Sequence, residues 1–215
     1  MTAGRSAAAR AAQLRASARR SWWQRLLALL GIRTAHARRT ASTAARWAHG
    51  AEGEAHTARL LAPLQTAGWH LRHDLALPKS RANLDHVLIS PCGTALVVLD
   101  TKRWHRGKPT HLVGGRIHCG QDDRHNQVEA VARYAQRVAT ILGLPAGQVA
   151  PLLVIHGSPI TGGRLEAHTP HGLVHVLGTD GLLPTLHAAP QGRPNARAAA
   201  RLAARVDQHL RPYQQ

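Results

Sequence analysis

Asn83-Leu84-Asp85-His86-Val87-Leu88-Ile89-Ser90-Pro91-Cys92-Gly93, followed at once by Thr94-Ala95-Leu96-Val97-Val98-Leu99-Asp100-Thr101-Lys102, is the stretch on which the fold turns. Leu84 to Ile89 is an apolar run of strand length, and Pro91-Cys92-Gly93 is a turn signal. Thr94 to Thr101 is a nearly continuous apolar run, the pattern of a central strand covered on both faces. Each run carries one acid, Asp85 in the first and Asp100 near the end of the second. An ionised carboxylate in such surroundings is costly unless something pairs with it. Asp100 and Lys102 stand two residues apart, so in a strand they project to the same face. The turn between the runs lets the neighbouring strand set Asp85 beside them.

Working outward, residues 69–77 alternate Trp69, Leu71, His73, Leu75 and Leu77, the period of a further strand with one apolar face. Residues 50–66 predict a helix, with Ala55, Ala58, Leu61 and Ala62 at helical spacing and Gly68 as its stop. Beyond the core run, Gly114-Gly115 marks a hairpin between His111–Val113 and Arg116–His118. Residues 124–142 predict the clearest helix, its start capped by Asp122-Asp123. Strands are expected at 151–155 and 173–177, a short helix at 179–187 and a terminal helix at 196–210. Strands joined by turns can pair antiparallel, and those separated by helices can pair in parallel. The order therefore predicts an α/β domain with a mixed central sheet flanked by helices.

The chain has 215 residues, with 28 Lys+Arg against 11 Asp+Glu and a net charge of +17. Such a balance excludes cationic substrates as natural partners and points to polyanions, nucleic acid or an anionic membrane surface. Two cysteines, Cys92 and Cys119, cannot build a disulfide framework or a four-cysteine zinc site. No run of about 18 apolar residues occurs, as a membrane-spanning helix requires, and the expected location is cytoplasmic.

The charge is uneven: residues 1–48 hold ten Arg and no acid. Residues 1–45 read as a basic Ala/Arg-rich arm, and 46–212 as the folded domain. Within the arm, Trp22, Leu26, Leu29 and Leu30 recur at helical spacing beside Arg19, Arg20 and Arg25. A basic amphipathic helix at 19–33 can pack on the domain, lie on nucleic acid or touch a membrane surface. A secretory leader fits poorly, because the apolar stretch Leu26–Ile32 has only seven residues.

The scarce acids suggest chemistry. Asp85 and Asp100, with Glu54 on the first helix, could hold a hard divalent cation such as Mg²⁺ and leave room for water and a phosphate oxygen. Lys102 could orient that water or steady negative charge. The chain has 25 Arg but only Lys79, Lys102 and Lys108, so a lysine in this strand stands out. Arg's broad fork does not replace a compact ammonium. Phosphodiester hydrolysis is the reaction such a set serves.

Three motifs carry a resemblance: Gly50-Ala51-Glu52-Gly53-Glu54, the Asn83–Gly93 segment, and Asp100-Thr101-Lys102-Arg103-Trp104. Together they resemble the nuclease-related domain (NERD) family, a branch of the restriction-endonuclease-like PD-(D/E)xK superfamily. The resemblance implies a mixed four-stranded central sheet flanked by helices and a Mg²⁺-dependent nuclease site, with Mn²⁺ as the alternative ion. By position it assigns metal binding to Glu54, Asp85 and Asp100, and catalysis to Asp85, Asp100 and Lys102. Gln127 matches a frequent glutamine of the family that could touch the site or the nucleic acid. Arg103, Trp104 and His86 are candidate nucleic-acid contacts, with Trp104 equally suited to packing and His86 more often core- or solvent-facing, and DNA is the expected polymer. Arg103 stands where the family has Asn, and Trp104-His105-Arg106-Gly107 stretches its Trp-x-Gly spacing. Two other functions remain open from sequence: a catalytically silent nucleic-acid-binding module, and a membrane-surface or scaffold protein acting through the arm.

Overall fold

The computed structural model describes residues 50, 52–189 and 192–213. The basic arm and its expected helix lie outside them. Helix α1 covers residues 52–61 and tightens into a 3₁₀ turn at Ala62–Gln65. It stops short of residue 66 because Pro63 has no N–H to continue the ladder. Strands β1 (His70–Ala76), β2 (Asn83–Ile89) and β3 (Leu96–Arg103) follow as an antiparallel meander. A small sheet of β4 (Thr110–Val113), β5 (Arg116–Cys119) and β6 (Asp122–Asp123) leads into α2 (His125–Leu142). Then come β7 (Val149–His156), β8 (Arg164–Thr169), β9 (Gly172–Gly178), α3 (Thr179–Ala188) and α4 (Ala196–His209).

The central sheet is mixed, as expected, but six-stranded rather than four-stranded, in the order β1-β2-β3-β7-β9-β8. β3, β7 and β9 are parallel neighbours, and β8 returns antiparallel on β9. Sequence reading missed β8 because only Ala167 of Arg164–Thr169 is buried. An edge strand of that kind carries too few apolar positions to show its period.

The apolar run in β3 is covered on both faces. Leu96 and Val98 pack with Val138 and Leu142 of α2 and Val206 of α4. Val97 and Leu99 pack with Leu61 of α1 and Leu182 and Leu186 of α3. The molecule therefore has three layers, α1 and α3, the sheet, then α2 and α4. Asp123 accepts a hydrogen bond from the His125 amide at 2.8 Å and so opens α2. The turn after β2 needs Gly93: its φ is +71°, and a Cβ there would come within 2.4 Å of the Ala198 backbone in α4.

β1 departs from the expected alternation. Trp69 and Leu71 join the core on the α1 side, whereas Leu75 and Leu77 join the α2 side. The phase switches at Asp74, whose φ is +56°. Past this point the chain end lies along the strand: the Ala76 amide donates to Arg211 O at 2.8 Å, and the Tyr213 amide to Asp74 O at 2.7 Å. Pairing of this kind covers an edge that would otherwise be open.

Leu153, in the middle of β7, is 0 % exposed, whereas Leu112 in β4 is 41 % exposed. Leu153→Ala is expected to cost about 2–5 kcal/mol and Leu112→Ala less than about 0.5 kcal/mol, read from denaturant unfolding midpoints. Equal midpoints would contradict this assignment of the core.

Candidate active site

The strand-end pairing places β2 beside β3, with His86 opposite Leu99 and Val87 opposite Val98. One residue earlier, Asp85 reaches the end of β3, where its Oδ2 accepts the Thr101 amide at 2.8 Å. Asp100 shares the face of Leu96 and Val98 by strand alternation, and Lys102 follows on that face. The Lys102 ammonium lies against Asp100 Oδ2 in an ion pair, and it also donates to Thr101 O at 3.3 Å. Asp85 and Asp100 are buried, while Glu54 and Lys102 are half-buried.

α1 reaches this corner through a buried relay. The Thr101 hydroxyl donates to Thr57 Oγ1 at 3.1 Å, and Thr57 Oγ1 meets His156 Nε2 at 2.8 Å. The relay joins β3, α1 and β7, three elements far apart in sequence. It ties α1 to the sheet at Thr57, three residues past Glu54.

The charges in this corner perturb one another. Burial pushes the Glu54 carboxyl up to about 7; repulsion from Asp74 adds to it, against the pull of Lys102. Burial also raises Asp85 well above the usual carboxylate range, reinforced by Asp100 and Glu54. Burial works to lower Lys102, but Asp100, Asp85 and Glu54 together hold its ammonium above the ordinary lysine value. One ammonium therefore offsets several mutually repelling carboxylates. Clusters with such shifts are functional-site candidates on physical grounds.

Asp74 belongs to this electrostatic group, and sequence reading missed it. The expected alternation would put it on the polar face of β1. Its positive φ and burial instead bring it inward, with Asn83 Nδ2 donating to its Oδ1 at 3.3 Å. No local sequence signal marks that reversal.

The four residues expected at a nucleic-acid interface are not brought to one surface. His86 is 0 % exposed, and its Nδ1 meets His73 Nδ1 at 2.7 Å. Burial, then His73, holds His86 well below the usual imidazole range. Its ring therefore packs against His73 and offers no exposed surface. Trp104 is buried among Ile117, Val128 and Ile155, and its indole N–H donates to Gln127 Oε1 at 3.1 Å. Trp104 thus serves as core, and Gln127 holds it. Arg103 alone is exposed, and its guanidinium donates to Glu52 at 2.6 Å.

The donor set of Glu54, Asp85 and Asp100 suits a hard divalent cation in kind: it is all oxygen, and Glu54 Oε2 is buried with no hydrogen bond. As the side chains stand, no three His, Cys, Asp or Glu groups among the described residues converge at ligand spacing. The Lys102 ammonium pairs with Asp100 instead. Among the described residues, no helix is long and apolar enough to cross a membrane.

A family model described as nuclease-related domain matches residues 49–156. That span holds Glu54, Asp85, Asp100, Lys102 and Gln127. No curated protein and no solved structure matches the chain.

Burial, then His56 and Arg103, pushes His156 down to about 4. The unfolded chain, with an ordinary imidazole value near 6.5, takes up a proton between about pH 6.5 and 4 while the folded chain does not. His156 therefore makes stability fall as pH falls through that window. His156→Gln is expected to flatten the slope of unfolding free energy against pH between these limits, measured by denaturant titrations across pH. An unchanged slope would show that His156 is not held neutral.

Proposed function

The chain belongs to the nuclease-related domain family, and from that membership we propose that it is a metal-dependent nuclease hydrolysing phosphodiester bonds in nucleic acid, with DNA as the polymer. The observation that carries this reading is the set of buried Asp85 and Asp100 with half-buried Glu54 around the Lys102 ammonium. A fold bears the cost of desolvating that much charge only weakly as a source of stability, so function is the better account.

Glu54, Asp85 and Asp100 would hold Mg²⁺, or Mn²⁺ in its place. Bound there, such an ion lowers the pKa of its water and offsets charge developing on the phosphate. Asp85 is oriented for this by the Thr101 amide, and Glu54 by the first turn of α1. Lys102 keeps its proton among its carboxylate neighbours. Its role is therefore that of a donor, which orients the attacking water or steadies the phosphate oxygens. The charge of the arm, nine Arg in residues 1–45, would add sequence-independent, salt-sensitive affinity for the backbone.

The test is cleavage of supercoiled plasmid, linear duplex, single-stranded DNA and RNA with Mg²⁺, Mn²⁺ or EDTA. Cutting of DNA that needs the metal is expected. Asp100→Ala and Lys102→Ala should each lower the rate at least about 100-fold, and Lys102→Arg should not restore it. Binding of these polymers with no cutting would replace this reading with a catalytically silent binding module. Cutting that survives both alanine variants would place the site elsewhere.

A further inference from the structure

A cavity of about 550 Å³ opens beside the carboxylate corner, between the first turns of α1 and the chain leaving β3 and β7. That volume suits a small ligand or a nucleotide rather than a duplex. Its walls carry Arg59, Arg103 and Arg106 with His56 and His156, and one acid, Glu52, stands among them. It meets the corner at Thr101: a Cβ on Gly53, which lines the cavity, would stand 3.3 Å from the Thr101 side chain, and the Thr101 amide holds Asp85.

The lining selects an anion. Arg103 is shared with Glu52 at 2.6 Å. Arg59 and Arg106 are exposed, and neither makes an ion pair among the described residues. Two uncommitted guanidiniums and a third held in place form a strongly cationic wall around a concave space. Planar guanidinium forks match phosphate oxygens bidentately. The floor is closed by Trp104 and His156, both buried. A Cβ at Gly157, where φ is +89°, would come within 2.7 Å of Trp104 O, so only glycine lets that floor pack shut. Thr57 holds His156 by one ring nitrogen. A cavity of this size beside the carboxylates has room for a phosphate group of a strand rather than for a duplex.

We propose that this cavity is a phosphate-binding subsite that receives the terminal phosphate of a nucleic-acid strand whose scissile bond lies at Glu54, Asp85 and Asp100. The proposal rests on the nuclease reading above and deepens it: the preferred substrate is a strand end, and the residues that select it are Arg59 and Arg106. Arg103 supports them from its contact with Glu52.

The experiment measures binding of short fluorescent single-stranded DNA by anisotropy in EDTA, so that no strand is cut. The full chain is titrated with strands carrying a 5′-phosphate, a 3′-phosphate or hydroxyls at both ends. The two phosphorylated strands distinguish which end is received. One of them is expected to bind about ten-fold tighter than the hydroxyl strand, the scale of charge-assisted hydrogen bonds to a phosphate. Arg59→Ala/Arg106→Ala should abolish that difference. Arg201→Ala, an equally exposed arginine on α4, should weaken all strands alike and keep the difference. Equal affinity for all three strands in the wild-type chain, or a preference retained by the double variant, would overturn the proposal. The same strands with Mg²⁺ separate the two readings. Cutting without an end preference removes the subsite and leaves the nuclease. An end preference without cutting leaves the subsite and removes the nuclease.

Discussion

Mutual repulsion among buried carboxylates, opposed by a single ammonium, is the constraint around which this domain is arranged. Burial and the neighbouring carboxylates raise the proton affinity of Asp85 and Glu54, and Lys102 is held charged in their midst. Removing such charges from water costs several kcal/mol each before pairing offsets part of it. The surrounding structure must hold them against that cost. β3 does so by being apolar on both faces, so that it is clamped between α2 and α4 on one side and α1 and α3 on the other. β2 does so by its register, which sets Asp85 on the Thr101 amide.

The corner is assembled from segments distant in sequence. Thr57, Thr101 and His156 form one hydrogen-bonded relay across α1, β3 and β7. The chain end pairs with β1 next to Asp74, whose left-handed backbone costs energy that a regular strand would not. Strain of this kind, sited where a carboxylate is turned inward, accords with a fold that gives up stability for a charged site. Arg72 and Asp207 fasten α4 to the same strand through two contacts, Nε to Oδ1 at 2.5 Å and Nη2 to Oδ2 at 2.7 Å.

Much of this was legible in the chain itself. The β3 run announced a strand buried on both faces, and the i, i+2 spacing of Asp100 and Lys102 announced a shared face. The turn at Pro91-Cys92-Gly93 announced that Asp85 would lie alongside. What stayed hidden depended on long-range geometry. The alternation of Trp69, Leu71, His73, Leu75 and Leu77 read as a single face, yet the backbone at Asp74 splits it between two cores. His86 and Trp104 could be read as ligand contacts or as packing residues, because polar and aromatic residues beside charged strand ends have both uses and only packing tells them apart. Here His86 packs against His73, and Trp104 packs among core residues with one side on the cavity. β8 escaped notice because an edge strand needs little apolar surface. The cationic cavity drew Arg59 from α1 and Arg106 from the loop after β3, residues with no sequence relation to each other.

The central claim is that this charged corner exists to take a hard divalent cation. Calorimetric titration of Mn²⁺ into the full wild-type chain, beside Asp100→Asn, tests it most directly. Saturable binding that Mg²⁺ displaces and Asp100→Asn loses is the result the account predicts. Indistinguishable titrations for the two proteins would contradict it.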